Sequence, residues 1–391
     1  MIPGGRRRTL LALGLWALAP LAHAGQVHAI RPGEKPASGS TEAELWYGMG
    51  QSERELKDAP VIVRDPALNA YVRDVACRVV GDYCGDLRVY IVESPVFNAS
   101  MAPNGAMIVF TGALLRMQDE SELALVLGHE FAHYRQRHSL RMWTNAKSTS
   151  ALSATFTIMS GFSLAGGVVQ MLGAAGLSGF SRDMEREADQ LGFSRATELH
   201  YDPAAGTRVW ARMLREEQAN KRRRGGSVFA SHPRTAERLQ DITAAAASVP
   251  ADAGAERGMA AYRAAMRPFL ARWLDAELSR RMYDTSIQVI EDRKAGASED
   301  EAGLLAYYLA EAYRRRGGAT DAGKAADLYA EAIRHPDAPA TAWREQGHLL
   351  RAAGQPAAAA AAFREYLGRA PAASDRAFIE QDLKALEATT P

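Results

Sequence analysis

The feature that most restricts how this chain can fold is the pentapeptide His129-Glu130-Phe131-Ala132-His133. It lies in a strongly helical run, where residues four apart share a face, so both imidazoles project side by side. Two imidazoles one turn apart can grip one zinc ion, and Glu130 beside them can take a proton from a water that zinc makes acidic. A catalytic zinc takes three protein ligands and keeps a fourth position open, so this helix must lie against whatever supplies the third. Taken alone, the pentapeptide is also compatible with two structural histidines on a helix.

Asp119 caps this helix, with Glu122 as its capping-box partner, and the pattern through Leu123, Val126 and Leu127 predicts a helix to about His138. About 50 residues downstream, Ser181 to Asp189 reads S-R-D-M-E-R-E-A-D at the head of a second helix, from about Arg182 to Glu198. Glu185 and Asp189 share a face there. Glu185 can be the third ligand, and Asp189 can accept a hydrogen bond from the free ring nitrogen of a ligating histidine, fixing its tautomer. Glu187 falls on another face and is expected to point away. His138, five residues past His133, is likewise expected to face elsewhere, either supporting the ligands from behind or serving the structure alone. The implied cofactor is one Zn2+ per chain on His129, His133 and Glu185.

The rest of the chain says where such a site would work. Arg6, Arg7 and Arg8 precede the apolar run Thr9 to Leu21 and then Ala22-His23-Ala24, which reads as a cleavable secretory signal over 1–24. Its removal takes the net charge from +1 to −2, and 47 basic against 46 acidic residues excludes a general nucleic-acid binder. An exported chain meets an oxidising compartment, where Cys77 and Cys84 can pair after a turn at Gly81. Residues 148–181 carry no charge, yet Gly, Ser, Thr and Gln170 interrupt them. That argues for a buried or interfacial hairpin with peripheral membrane contact rather than a span.

Helical spacing also predicts helices over Glu42 to Lys57 and Asp65 to Val80. Two β-like runs follow, Leu87 to Val92 and Ala106 to Phe110, the second entered through Asn104-Gly105, a dipeptide suited to a hairpin turn. Residues 216–227, including the Arg222 to Arg224 run, read as a solvated loop. The domains expected are a zinc-binding, mainly α domain with a small β-hairpin sheet over 25–245, a linker over 246–256 and a helical repeat domain over 257–391. In that last part Trp343, Gly347, Leu350, Ala359, Phe363, Tyr366 and Pro371 fall at tetratricopeptide spacings, with an earlier copy around Leu309, Tyr313 and Tyr329. Two copies are few for a free-standing array, so the helices of 257–293 are expected to complete the stack.

Over residues 42–240 these motifs resemble the gluzincin peptidases of the CAAX prenyl protease and HtpX type (peptidase family M forty-eight). The likeness rests on Asn98-Ala99, Thr111-Gly112-Ala113-Leu114-Leu115, the Glu122-Leu123 to His133 helix, Glu185-x-x-x-Asp189, and His232-Pro233 with Arg238. With the signal and the repeat-like tail, the whole chain resembles the periplasmic members that assist outer-membrane protein assembly. The resemblance implies a zinc endopeptidase with Glu130 as general base. His232 would be either a fourth metal ligand that keeps the enzyme latent or, with Arg238, a group steadying an oxyanion; a helix cap and a surface ion pair are the plainer alternatives. It also implies that Asn98, Ala99, Ser100 and Met101 form an edge strand that pairs with substrate backbone. Expected partners are protein or peptide substrates and, through the tail, outer-membrane assembly machinery.

Overall fold

The computed structural model describes residues 28–147, 180–219, 235–250 and 257–389. The signal at 1–24, all of the uncharged segment except Phe180 and Ser181, the Arg222 to Arg224 run and His232 lie outside the described residues.

Helices α1 (Thr41–Asp58) and α2 (Pro66–Val80) begin where their caps dictate. The Ser40 hydroxyl accepts from the Ala43 amide at 3.1 Å, and the Asp65 carboxylate accepts from the Leu68 amide at 2.9 Å. Leu68, Val72, Val75 and Val79 line the buried face of α2. The helix stops at Gly81, whose left-handed φ of 61° turns the chain back, and Cys77 is disulfide-bonded to Cys84.

Strands β1 (Arg88–Val92), β2 (Ala99–Met101) and β3 (Ala106–Phe110) form one sheet in the order β1-β3-β2. The two long runs pair directly, but not as a hairpin. β1 runs parallel to β3, Arg88 opposite Ala106 and Val92 opposite Phe110. The Asn104-Gly105 turn instead folds β2 back on β3, with Ala99 opposite Val109 and Met101 opposite Met107. A turn joins only its sequence neighbours, and β2 is too short to show as an alternating run. β3 is covered on both faces: Met107 and Val109 enter the main core with α2, while Ile108 and Phe110 meet Leu56 of α1. β2 is left at the edge.

Helices α3 (Thr111–Arg116), α4 (Glu120–Arg135), α5 (His138–Lys147), α6 (Arg182–Glu198), α7 (Ala205–Ala219) and α8 (Thr235–Ser248) complete this half. α4 carries the metal-binding pentapeptide and is capped by Asp119, which accepts from the Glu122 amide at 3.0 Å. It ends at Arg135, short of His138, because Arg137 adopts a left-handed φ of 51° and a new helix starts at His138.

The C-terminal half is wholly helical in its described residues: α9 (Met259–Met266), α10 (Leu270–Ser279), α11 (Tyr283–Ala295), α12 (Glu299–Arg316), α13 (Asp321–Ala332), α14 (Thr341–Ala352), α15 (Pro356–Arg369) and α16 (Arg376–Thr389). α12 packs on α13 and α14 on α15. At the second crossing Trp343, Ala359, Phe363 and Tyr366 are buried, and Gly347 makes room for Phe363: a Cβ there would sit 2.5 Å from the ring.

Of the linker expected at 246–256, the first three residues belong to α8 and 251–256 lie outside the described residues; one hydrophobic cluster includes Ile30, Trp273 and Leu386. α11 touches both α7 and α12, so it joins the two halves. Buried polar contacts reinforce the joint. Arg116 reaches Glu216 of α7 at 2.8 Å and Glu277 of α10 at 2.9 Å, and the Tyr262 hydroxyl donates to the Leu114 carbonyl at 2.6 Å. Among the described residues no helix is long and apolar enough to cross a membrane.

Candidate metal centre

The site depends on how closely α4 and α6 approach. They cross at Gly128 and Gly192. A Cβ on Gly192 would lie 2.7 Å from the His129 amide nitrogen, and one on Gly128 would lie 3.3 Å from the Gly192 Cα. Glycine inside a helix costs about 0.5–1 kcal/mol relative to alanine, and here backbone contact offsets it. The sequence reading passed over both glycines. The available signal was a glycine directly before a ligand and another three residues past Asp189.

That contact seats the first turns of α6 over the imidazoles of α4. The Nε2 atoms of His129 and His133 are 3.1 Å apart. Glu185 Oε2 lies 3.7 Å from His129 Nε2, and Oε1 lies 3.6 Å from His133 Nε2. All three side chains are buried and their donor atoms lie within 4.8 Å of one another. Among the described residues, no other cluster of three or more such groups is close enough to hold a metal. Two imidazole nitrogens and one carboxylate oxygen, withdrawn from water and converging on one point, form a donor set that fits zinc.

Around the donors, Asp189 Oδ1 meets His129 Nδ1 at 3.0 Å, and Arg238 of α8 grips Asp189 through both oxygens at 2.6 and 2.7 Å. Burial opposes charge on Asp189, but the Arg238 guanidinium outweighs it and holds the carboxyl well below the usual carboxylate range. Arg238 is itself buried, 3.3 Å from Glu185 and stacked 3.9 Å over the Trp210 ring. It is therefore no surface ion pair, and its fork is taken up by the two carboxylates. His232, the other residue weighed for the oxyanion or for a fourth ligand position, lies outside the described residues.

Two expectations are corrected. His138 does not face elsewhere: the break at Arg137 returns it to the site, with Nδ1 2.9 Å from His133 Nδ1, the ligand-supporting place that was one of the two weighed for it. Glu187 does not merely point away, since its Oε2 lies 3.1 Å from His138 Nε2. Phe180, which the sequence reading did not single out, stacks on the His133 ring at 3.8 Å.

A narrow cavity is lined by Phe97, Asn98 and Ala99 at the start of β2 and by Val126, His129, Glu130 and Trp210. Glu130 and the sheet edge thus face a common space. Ala99 and Met101 are buried, while Asn98 and Ser100 are half-buried.

Residues 63–246 match the family model described as Peptidase family M48. The chain is similar to "Mitochondrial metalloendopeptidase OMA1" of Schizosaccharomyces pombe, 33% identical over 178 residues that cover 44% of this chain and 51% of the relative. It is similar to "Putative beta-barrel assembly-enhancing protease" of Vibrio cholerae, 26% identical over 260 residues covering 62% of this chain and 53% of that protein. To "Beta-barrel assembly-enhancing protease" of Escherichia coli (strain K12) it is 27% identical over 204 residues, 48% of this chain and 41% of the relative. The chain thus spans about half the length of the curated relatives it matches.

Proposed function

From the premise that residues 63–246 are a peptidase family M48 domain, we propose that the chain is a zinc-dependent endopeptidase that cuts misfolded or misassembled envelope proteins. The observation that carries the reading is the convergence of His129, His133 and Glu185 within 4.8 Å beside a buried Glu130. Zinc, when bound there, supplies Lewis acidity that polarises a peptide carbonyl and acidifies water. Glu130 takes the proton from the attacking water and returns it to the leaving amine nitrogen. Asp189, anchored by Arg238, holds the His129 ring in orientation. The open edge of β2, from Asn98 to Met101, pairs with an extended substrate backbone, a mode that tolerates many side-chain sequences.

The setting belongs to the same proposal. The signal over 1–24 directs the chain to the periplasm. The C-terminal helices act as tetratricopeptide-type repeats that bind clients or assembly machinery, the uncharged segment at 148–181 contacts a membrane surface, and His232 can occupy the fourth ligand position and keep the site latent. The words "beta-barrel assembly-enhancing" in the bacterial relatives' names motivate a second reading, in which the chain is mainly a chaperone-like factor for outer-membrane protein assembly and its protease site stays shut.

Glu130→Gln tests the choice. The variant should keep its zinc while casein hydrolysis falls by about 10²–10⁴-fold. Hydrolysis that survives the substitution, or a wild-type protein without zinc, defeats the enzyme reading. Client maturation that survives in the variant, with wild type cutting nothing, selects the assembly factor.

A further inference from the structure

The two imidazoles facing the metal position have their second ring nitrogens engaged by unlike partners. His129 Nδ1 meets the Asp189 carboxylate at 3.0 Å, whereas His133 Nδ1 meets another ring nitrogen, His138 Nδ1, at 2.9 Å. Two ring nitrogens at that distance make a hydrogen bond only when one carries a proton and the other does not. Glu187 sets the direction. Its Oε2 lies 3.1 Å from His138 Nε2, and a carboxylate can only accept, so the His138 proton sits on Nε2 and its Nδ1 is the acceptor. His133 must then carry its proton on Nδ1, which leaves a lone pair on Nε2, the nitrogen nearest Glu185 and His129.

We propose that His138 and Glu187 are positioning residues: a one-way hydrogen-bond chain, Nδ1–H of His133 to His138 and Nε2–H of His138 to Glu187, fixes the tautomer in which His133 offers Nε2 to zinc. The proposal rests on the zinc reading above and adds two side chains to it. The surroundings suit the role. His138 is fully buried, and Phe180 stacks on His133 and lies 6.0 Å from the His138 ring, which excludes water from the Nδ1 contact. The backbone supplies the geometry, since an uninterrupted α-helix would carry a residue five positions past His133 off to another face. The left-handed residue at Arg137, a conformation that residues other than glycine rarely adopt, brings it back.

The test measures zinc affinity by chelator competition on the full chain, for wild type, His138→Leu and His138→Gln. Leucine cannot accept from His133, and affinity should fall by about 10–100-fold, the range for partners of ligating histidines. Glutamine offers a carbonyl oxygen and should recover most of it. Nitrogen-15 NMR of the zinc-loaded wild type should find His138 protonated at Nε2. Leucine binding zinc as tightly as wild type, both variants losing equally, or His138 protonated at Nδ1 would each overturn the chain while leaving the metal site standing. A wild type that binds no zinc would instead remove the metal reading, and the chain with it.

Discussion

Among the described residues, two of the helix pairs that meet at a glycine use the room differently. Where α4 crosses α6, Gly192 lies so near His129 that an added Cβ would fall 2.7 Å from its amide nitrogen. Where α14 crosses α15, Gly347 instead opens a socket for the Phe363 ring, 2.5 Å from the position of its missing Cβ. In the first pair the space is used to bring two backbones together, and the rings and carboxylates that follow converge at ligand distance. In the second it is filled by an aromatic side chain that contributes burial. The same residue type thus positions chemistry in one region and stabilises packing in the other. Sequence alone does not distinguish the two uses.

Substitution separates them. Gly192→Ala forces α6 away from α4, because the new methyl group meets backbone that cannot rotate aside. Glu185 and Asp189 ride on α6, so zinc content and casein hydrolysis should both drop to background while far-UV circular dichroism stays close to wild type. Retained zinc would show that the crossing does not set the site. In the tail, Phe363→Ala should lower stability by about 3–5 kcal/mol and Gly347→Ala by about 1–3 kcal/mol, read from urea unfolding, with zinc content unchanged. Zinc loss from either tail variant would mean that the two crossings are not independent.

How much of this was legible follows from which interactions are local. The pentapeptide and the Glu185-x-x-x-Asp189 pair were readable because helical periodicity alone puts four residues on two faces. The caps at Asp65 and Asp119 were readable because their partners lie three residues on. The direction of His138 was not, because it depends on one left-handed residue, Arg137, whose side chain gives no sign of that backbone. The parallel pairing of β1 with β3 was hidden by a three-residue strand between them. The ties from Arg116 to Glu216 and Glu277 span 100 and 161 residues, beyond any spacing rule. What the sequence missed is what the chain achieves by folding back on itself.

Acid sharpens the comparison with the smallest effect. In the N-terminal half, Glu53 of α1 accepts from Arg88 at 2.5 and 2.7 Å, from Tyr90 at 2.7 Å and from Asn104 at 2.8 Å, tying α1 to the sheet. Burial raises its pKa, but those hydrogen bonds outweigh burial and hold the carboxyl at about 2, against an ordinary 4.5. A carboxylate depressed in the folded state stabilises fully above the unfolded value, so this contribution, about 1–3 kcal/mol, is lost as pH falls from about 4.5 toward about 2. In the tail, His348 lies against Phe363 with ring centroids 5.0 Å apart, and burial lowers its pKa below the ordinary 6.5. The unfolded chain then takes up the proton first, so the tail loses stability as pH falls below about 6.5, two units earlier than the sheet. Amide exchange between pH 7 and 3 should therefore loosen α14 and α15 before β1 and β3. His348→Gln should flatten the upper window alone and Glu53→Gln the lower one alone; a single shared midpoint that neither variant moves would erase the distinction.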